Sequence, residues 1–370
     1  MGQVLIGLVS SSRRARRLRS MCKSDQRLAT AIERWFLDNA RDLPWRDPRT
    51  PWRALVSELM LQQTQVSRVL ERFEPFMDRF PSPCLLAIAD EQDVLAMWQG
   101  LGYYRRARSL HRAAREIVDR FDGEVPIDAS ELLSLPGVGR YTAGSIASIV
   151  GGAREPIVDG NVSRLLARVH CDSASPTDRL FIKRLWSWAQ GLVDVCEHPP
   201  LLNEGMMELG ATVCTPASPS CDQCPLASLC QARLEGRVSE IPPPKQVAAR
   251  QELHHHAVIV KRRGRVLLEQ RAKTGLWAGM WQAPAIESQT KLSDSDVINR
   301  LPFPLQSLRL QEVLQRTLTH RIVTLHIYSG SLKHGARVPT TTGVKWVSAA
   351  ELADVPISNA GHAVLAAVSS

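Results

Sequence analysis

The amino-acid sequence predicts two folded domains in series, an all-α domain and then an α+β domain of about 120 residues, joined by a proline-rich linker. Three observations carry that prediction. From about residue 25 to 235 apolar residues recur at helical spacing and interior Gly and Pro are few; residues 236–251 contain Pro242, Pro243 and Pro244; and beyond them the period shifts to short β-rich runs. At 370 residues the chain is also too long for one typical core.

Thr50 and Pro51 supply an N-cap and a first helical residue, and Leu55, Leu59, Val66, Leu70 and Phe73 continue from there at helical spacing. Residues 84–98, 105–120, 129–135, 141–151, 161–170, 178–194 and 201–213 follow as helices. In the second domain the runs 254–260, 265–270, 325–331 and 344–347 read as strands, and 294–301 and 349–353 as helices. No internal repeat is present.

Apolar residues make up 44% and charged residues 22%, a globular rather than disordered composition. Of the formal net charge of +9, the basic arm 1–24 supplies +6 through Arg13, Arg14, Arg16, Arg17, Arg19 and Lys23 with no acid, leaving +3 for the folded body. Such an arm suits a polyanion partner and equally a solvated tail, so charge alone does not name nucleic acid. No apolar run approaches the roughly 18 residues that span a membrane, so a soluble protein is expected; separately, the expectation is a monomer inside the cell, in the cytoplasm or nucleoid if the cell is bacterial. The short apolar stretch 4–9 precedes its arginines, the reverse of a secretory signal, and an organellar presequence or a start at Met21 are the alternatives for this end. Four of the eight cysteines crowd into 214–230, which speaks for a metal site in a reducing interior over disulfides.

Cys214, Cys221, Cys224 and Cys230 form C-x6-C-x2-C-x5-C. Four thiolates so close can surround an iron-sulfur cluster or a zinc ion; zinc ribbons usually present two C-x2-C knuckles and this run has one, which favours the cluster. Cys22, Cys84, Cys171 and Cys196 lie apart and read as ordinary thiols. In Leu135-Pro-Gly-Val-Gly-Arg-Tyr-Thr-Ala143, Gly137, Val138 and Gly139 make a tight turn between two helices, where backbone N–H groups and the next helix N-terminus can receive a phosphate. A plain αα-hairpin needs the same glycines.

In combination these motifs carry a resemblance. Residues 25–235 resemble the endonuclease III superfamily of helix-hairpin-helix DNA glycosylases, whose cluster has this cysteine spacing. More closely, the chain resembles the MutY adenine glycosylases through Leu43-Pro-Trp-Arg46, Ser57-Glu-Leu-Met-Leu-Gln-Gln-Thr-Gln65, Gly100-Leu-Gly-Tyr-Tyr104, Asp159-Gly-Asn161 and Met206-Met-Glu-Leu-Gly210. Residues 252–370 resemble their MutT-like (Nudix-type) domain, with Gly275-Leu-Trp-Ala-Gly-Met-Trp281 as the clearest marker. The resemblance implies a multidomain fold: an all-α helix-hairpin-helix glycosylase core (hairpin 129–151, cluster loop 214–230) with one 4Fe-4S cluster, the linker 236–251, and an α+β MutT-like domain. It implies excision of adenine mispaired with 8-oxoguanine or guanine in double-stranded DNA, in base excision repair.

Cleaving an N-glycosidic bond needs a protonated leaving base, a stabilised sugar cation and a nucleophile. The resemblance assigns Glu58 as the acid that protonates adenine N7 and helps handle water. Its own setting agrees, because Ala54, Leu55, Leu61 and Gln62 are its helical neighbours and desolvation there should raise its pKa. From a reference of about 4.3, protonation at pH 7 costs roughly 3.7 kcal/mol, and a pKa near 6 cuts that to about 1.4. Asp159 precedes a helix beginning near Asn161, a place that favours an ionised carboxylate, as it would for any N-cap. By resemblance Asp159 faces the oxocarbenium ion and Asn161 orients it. Tyr141 stands where strand-cutting relatives carry a Schiff-base lysine, so efficient strand cleavage is not expected.

By resemblance also, Gln63 and Tyr103 wedge into the duplex, and Trp45, Arg46, Leu61 and Glu204 line the adenine pocket. Leu318, Thr319 and His320 occupy the place of a Phe-Ser-His segment that reads 8-oxoguanine, keeping the hydroxyl and losing the aromatic ring. On residue type alone Trp45, Leu61 and Tyr103 are core residues. The loop 215–220 lacks the basic residues the family often carries there, so no phosphate contact is expected of it. Glu287, Asp294 and Asp296 do not make the glutamate-rich pattern of true MutT hydrolases, so nucleotide hydrolysis is not expected. Two rival functions are a thymine–guanine mismatch glycosylase and a non-catalytic, cluster-bearing DNA-binding module.

Overall fold

The computed structural model describes residues 23–244, 249–338 and 343–367. The arginines of the basic arm, Met21 and Cys22 lie outside the described residues. The chain divides into two compact units that cut across chain order, Met1–Leu59 with Glu116–Gln246, and Met60–Arg115 with Val247–Ser370.

Twelve helices precede residue 235 among the described residues: α1 (23–39), α2 (Pro51–Leu61), α3 (Val66–Arg79), α4 (Pro83–Ala87), α5 (Glu91–Met97), α6 (Arg105–Phe121), α7 (Ala129–Leu133), α8 (Arg140–Ile149), α9 (Gly160–Val169), α10 (Arg179–Val195), α11 (Pro199–Thr212) and α12 (Gln231–Leu234). Most start where a local signal places them. Asp128, Asp159 and Asp178 accept backbone N–H groups at the N-termini of α7, α9 and α10, and Pro83 and Pro199 open α4 and α11.

Two expected helices are broken. The periodic run from Pro51 to Phe73 is interrupted between α2 and α3, where Gln63 adopts φ 58°; the run 84–98 is interrupted before Asp90, whose carboxylate caps α5. In both places apolar period persists through a local backbone reversal, so period alone does not reveal the break.

In the first unit α1, α9, α10 and α11 enclose a core containing Ile32, Val162, Leu166, Phe181, Leu185 and Leu202. Ile241 of the expected linker is buried in the same core, and its carbonyl accepts from Arg168 Nε at 2.8 Å. The linker's first half is therefore docked, because a buried apolar side chain and a guanidinium both hold it. Helix α11 crosses the start of α9 closely: a Cβ on Gly210 would lie 2.7 Å from Asn161 Cβ.

The second unit is built on a seven-stranded sheet of order β3-β2-β1-β6-β5, with β4 also on β1 and β7 on β2. The strands are β1 (Gln251–Arg262), β2 (Arg265–Gln270), β3 (Trp281–Gln282), β4 (Ala285–Ser288), β5 (Leu305–Thr317), β6 (Arg321–Leu332) and β7 (Val344–Ser348). β1 and β6 run parallel in register from Gln251↔Arg321 to Val260↔Gly330. Both faces of the sheet are covered, one by α14 (Asn359–Ala366) and the other by α13 (Asp294–Arg300), which is why His255 to Val260 are buried without alternation. Residues 349–353, expected as a helix, form only the short 3₁₀ turn Glu351–Asp354.

β5 and α14 were not expected from the sequence. β5 lies at the sheet edge with most of its residues exposed, so it carries charged and polar side chains in place of a strand-like apolar alternation. Helices α3–α5 belong to this unit as well. Trp281 Nε1 donates to Gln92 Oε1 at 3.0 Å, Gln99 Nε2 donates to the Val355 carbonyl at 2.8 Å, and Arg108 donates to the Ala278 carbonyl.

Candidate active site and DNA-probing loops

Helix α2 carries Glu58 into the interior of the first unit, where it is 8% exposed. Ser145 Oγ donates to Glu58 Oε1 at 2.7 Å. Ser145 follows Tyr141 by one turn of α8, so the two hydroxyls share a face. Burial pushes the Glu58 pKa up to about 7; the Ser145 and Tyr141 hydroxyls pull it down by less, and Asp159 and Glu204 add to the upward push. The rise exceeds the value near 6 considered from sequence, and at neutral pH about half of Glu58 holds its proton.

Tyr141 is held well above the usual phenol range by burial and then by the Glu58 and Asp159 charges. It is a neutral phenol, with its hydroxyl 3.0 Å from the Met207 sulfur. Asp159 caps α9: Oδ1 accepts from the Val162 N–H at 2.7 Å and Oδ2 from Asn161 Nδ2 at 3.0 Å. From its helix position the sequence favoured an ionised carboxylate. The structure corrects the balance: the anion-stabilising bonds are present, yet burial outweighs them and the pKa is raised. Arg164 continues this network, donating to Asn161 Oδ1 at 2.9 Å and to the carbonyls of Gly210 and Cys214, each at 2.7 Å.

Of the expected adenine-pocket residues, Arg46 and Glu204 meet in a charge chain. Arg46 donates to Glu204 at 3.0 Å and to Glu208 at 3.1 Å, Arg49 donates to Glu204 at 2.7 Å, and Arg41 pairs with Glu208. Trp45 is half-buried. Leu61, also half-buried, falls in the second unit.

Between α7 and α8, Gly137 takes φ +85°, the left-handed conformation that excludes most side chains. Gly139 begins α8 in extended backbone with nothing within 4 Å of a built Cβ, so its surface is open to an approaching group. Val138 between them is buried and anchors the turn.

Cys214, Cys221, Cys224 and Cys230 carry no disulfide and line one partly open pocket, walled also by Leu165, Leu226 and Arg168. Among the described residues no three His, Cys, Asp or Glu side chains stand close enough to chelate a single metal ion. The donor set, four cysteine thiols lining one pocket, suits an iron-sulfur cluster or a zinc ion. Arg168, itself buried, donates to Cys214 Sγ at 3.3 Å and to the Thr215 carbonyl at 2.8 Å, fixing the loop that carries the first cysteine.

In the second unit Gln63 and Tyr103 both take positive φ, 58° and 48°, and both are exposed. Thr319 sits in the turn joining β5 to β6, and its hydroxyl lies 2.6 Å from the Tyr103 hydroxyl. His320 is exposed beside it, while Leu318 packs on the sheet core. Tyr103 is therefore not a core residue. Glu287 is paired with Arg271 at 2.8 Å and faces His255.

Sequence reasoning missed Ser145, Arg164, Arg168, Glu208 and the arginines at 41 and 49. Only Ser145 had a usable signal, its four-residue spacing from Tyr141. The others meet partners roughly 50 to 170 residues away and carry no local signature.

Residues 56–190 match the family profile described as HhH-GPD superfamily base excision DNA repair protein, and 255–367 match a NUDIX domain. The human adenine DNA glycosylase is 34% identical over 88% of this chain and 71% of its own length. The chain belongs to the adenine DNA glycosylase family. The Mycobacterium tuberculosis adenine DNA glycosylase is 41% identical over 59% of this chain and 71% of its own. Among solved structures, a thermostable thymine-DNA glycosylase superposes with a TM-score of 0.53 at 26% identity, covering 58% of this chain and 98% of that one. Family membership makes this chain an enzyme that excises adenine from DNA in base excision repair. No described helix is long and apolar enough to cross a membrane.

Proposed function

We propose that the enzyme excises adenine paired with 8-oxoguanine, and with guanine, in double-stranded DNA, by hydrolysis that leaves the strand uncut. The observation that carries this reading is the buried Glu58 with a pKa of about 7 in the same hydroxyl-lined site as the helix-capping Asp159. Glu58 gives its proton to adenine N7, and the C1′–N9 bond breaks with its electron pair leaving on the base. The Asp159 carboxylate, held by the Val162 N–H and Asn161, stabilises the sugar cation. Water adds at C1′ and returns a proton to Glu58, closing the cycle with an abasic sugar. Tyr141 has no amine with which to form an imine, so chain cleavage has no nucleophile at that position.

Gln63 and Tyr103 wedge the duplex, and Thr319 with His320 reads the oxidised base; the Tyr103–Thr319 hydrogen bond supports one surface doing both. Cys214, Cys221, Cys224 and Cys230 would hold one 4Fe-4S cluster, whose thiolate bonds would cross-link the cysteine loop. Trp45, Arg46 and Glu204 of the first unit receive the adenine, and the turn Gly137–Gly139 receives a phosphate. The test is single-turnover base release from duplexes with A opposite 8-oxoguanine, A opposite G, and T opposite G. The reading requires that order of rates, no release of thymine, and strand breaks only after alkali. Efficient borohydride trapping of a covalent complex, or an unchanged 8-oxoguanine preference in Thr319→Ala/His320→Ala, contradicts it.

A further inference from the structure

Gln63 and Tyr103 sit on two separate loops, one following α2 and one preceding α6, and each holds a non-glycine residue in the left-handed region. Such conformations cost free energy and persist only where surrounding contacts fix them. One side chain contacts both loops. Arg106, on the first turn of α6 and 8% exposed, donates from Nη1 to the Met60 carbonyl at 2.7 Å. From Nη2 it donates to Thr64 Oγ1 at 2.8 Å, to the Leu101 carbonyl at 3.0 Å and to the Gly102 carbonyl at 3.1 Å. The first two acceptors bracket Gln63 and the last two immediately precede Tyr103. Thr64 Oγ1 in turn donates to the Leu101 carbonyl at 3.2 Å, closing the tie between the loops. The guanidinium carbon also lies 5.4 Å from the centre of the Tyr103 ring and 5.6 Å from that of Trp98.

We propose that Arg106 is a positioning residue for mispair engagement: it locks the two probing loops together so that Gln63 and Tyr103 enter the duplex as one preformed wedge. A planar, fixed fork of donors suits this task. Lysine has one nitrogen with three donors and cannot serve the Met60 carbonyl together with the three acceptors of Nη2. Burial draws the Arg106 pKa down to about 10, so the guanidinium stays charged at neutral pH. Preformation saves the ordering that two free loops would undergo on meeting DNA, and losing it lowers the fraction of bound enzyme in which the mispair is opened.

The inference rests on reading Gln63 and Tyr103 as the wedge, and its test separates the two. The full-length, cluster-loaded enzyme is bound to an A opposite G duplex with 2-aminopurine beside the guanine, whose fluorescence rises when the base is unstacked. Single-turnover adenine release is measured on the same duplex without the probe. Arg106→Lys is expected to lose most of the fluorescence rise and to slow release by about tenfold or more, with visible absorbance retained. Because Arg106 acts through the wedge, Arg106→Lys/Tyr103→Ala is expected to be no slower than Tyr103→Ala alone. A folded Arg106→Lys within about twofold of the native fluorescence rise and rate overturns the proposal, as do losses that add to those of Tyr103→Ala. If Arg106→Lys does not fold, Thr64→Val, which removes one acceptor at constant shape, is put through the same cycle, with non-additivity expected and additivity overturning the proposal. A Tyr103→Ala enzyme that unstacks the duplex normally removes the wedge reading itself.

Discussion

At the scale of single residues, the two carboxylates are tuned in the same direction by burial and are separated by their partners. Glu58 must hold a proton and Asp159 must have lost one. Because the Glu58 pKa is raised to about 7, its proton is lost as pH rises through that value. Single-turnover adenine release is expected to fall by about tenfold per pH unit above about pH 7 to 8, and a rate flat to pH 9 contradicts the acid assignment. Stability follows the same proton. The folded state holds it between the ordinary 4.5 and about 7, so ionising Glu58 costs stability as pH climbs through that window. Glu58→Gln is therefore expected to abolish base release yet stabilise the fold at pH 8 by at most about 3 kcal/mol, seen as a higher melting temperature. Equal melting temperatures for the two proteins at pH 8 show that Glu58 is not destabilised there. Asp159→Asn keeps an oxygen that accepts from the Val162 N–H and loses the charge. It loses the bond from Asn161 Nδ2, should cost about 1 kcal/mol of stability, and should release adenine at least about a hundredfold more slowly. A near-normal rate excludes Asp159 from stabilising the cation.

At the scale of elements, three glycines separate packing from access. A methyl on Gly210 would lie 2.7 Å from Asn161 Cβ and 2.9 Å from its carbonyl oxygen, where α11 crosses the start of α9. Gly210→Ala should destabilise by about 1 to 3 kcal/mol and slow base release, because the helix start that moves carries Asn161 and Asp159. Gly137→Ala should lose about 1 kcal/mol to its positive φ. Gly139→Ala meets no atom and stays in ordinary extended backbone, so melting should be unchanged while duplex binding weakens through shielded N–H groups. Denaturant melts with titrations of labelled duplex distinguish the three; a Gly139→Ala enzyme with native affinity argues against phosphate at the turn.

At the scale of the whole molecule, the MutT-like segment and the helices α3–α5 share a compact unit. The sequence suggests that a chain ended in the linker keeps its chemistry on A opposite G. Gln92, Gln99 and Arg108, however, bond to Trp281, Val355 and Ala278. A chain ending at residue 244 removes these three bonds, leaving Arg108 its pair with Glu91. It is expected to melt lower and to slow on A opposite G as well as on A opposite 8-oxoguanine; a truncation with native melting and native A opposite G rate refutes this. The cysteine cavity makes a second prediction at this scale. Protein prepared without oxygen should absorb at about 400 nm and contain about four irons per chain, both lost in Cys224→Ser. Stoichiometric zinc without iron overturns the cluster.

What the sequence determined by itself lies within a turn or two of chain. The caps at Thr50 and Asp159, the cysteine spacing, the glycine turn at 137–139 and the central strands were all legible, because each rests on neighbours along the backbone. The edge strand β5 and the broken helix at Gln63 were not, since exposure removes the apolar period in one and leaves it uninterrupted in the other. The tertiary structure alone decided the site's electrostatics and the tie between the loops that carry Gln63 and Tyr103. Ser145 reaches Glu58 across 87 residues, Arg46 reaches Glu204 across 158, Arg106 reaches Met60 across 46, and Thr319 meets Tyr103 across 216. Hydrogen bonds between such distant segments leave no periodic trace. The desolvation that raises Glu58 and Asp159 likewise depends on everything packed around them, which no local pattern encodes.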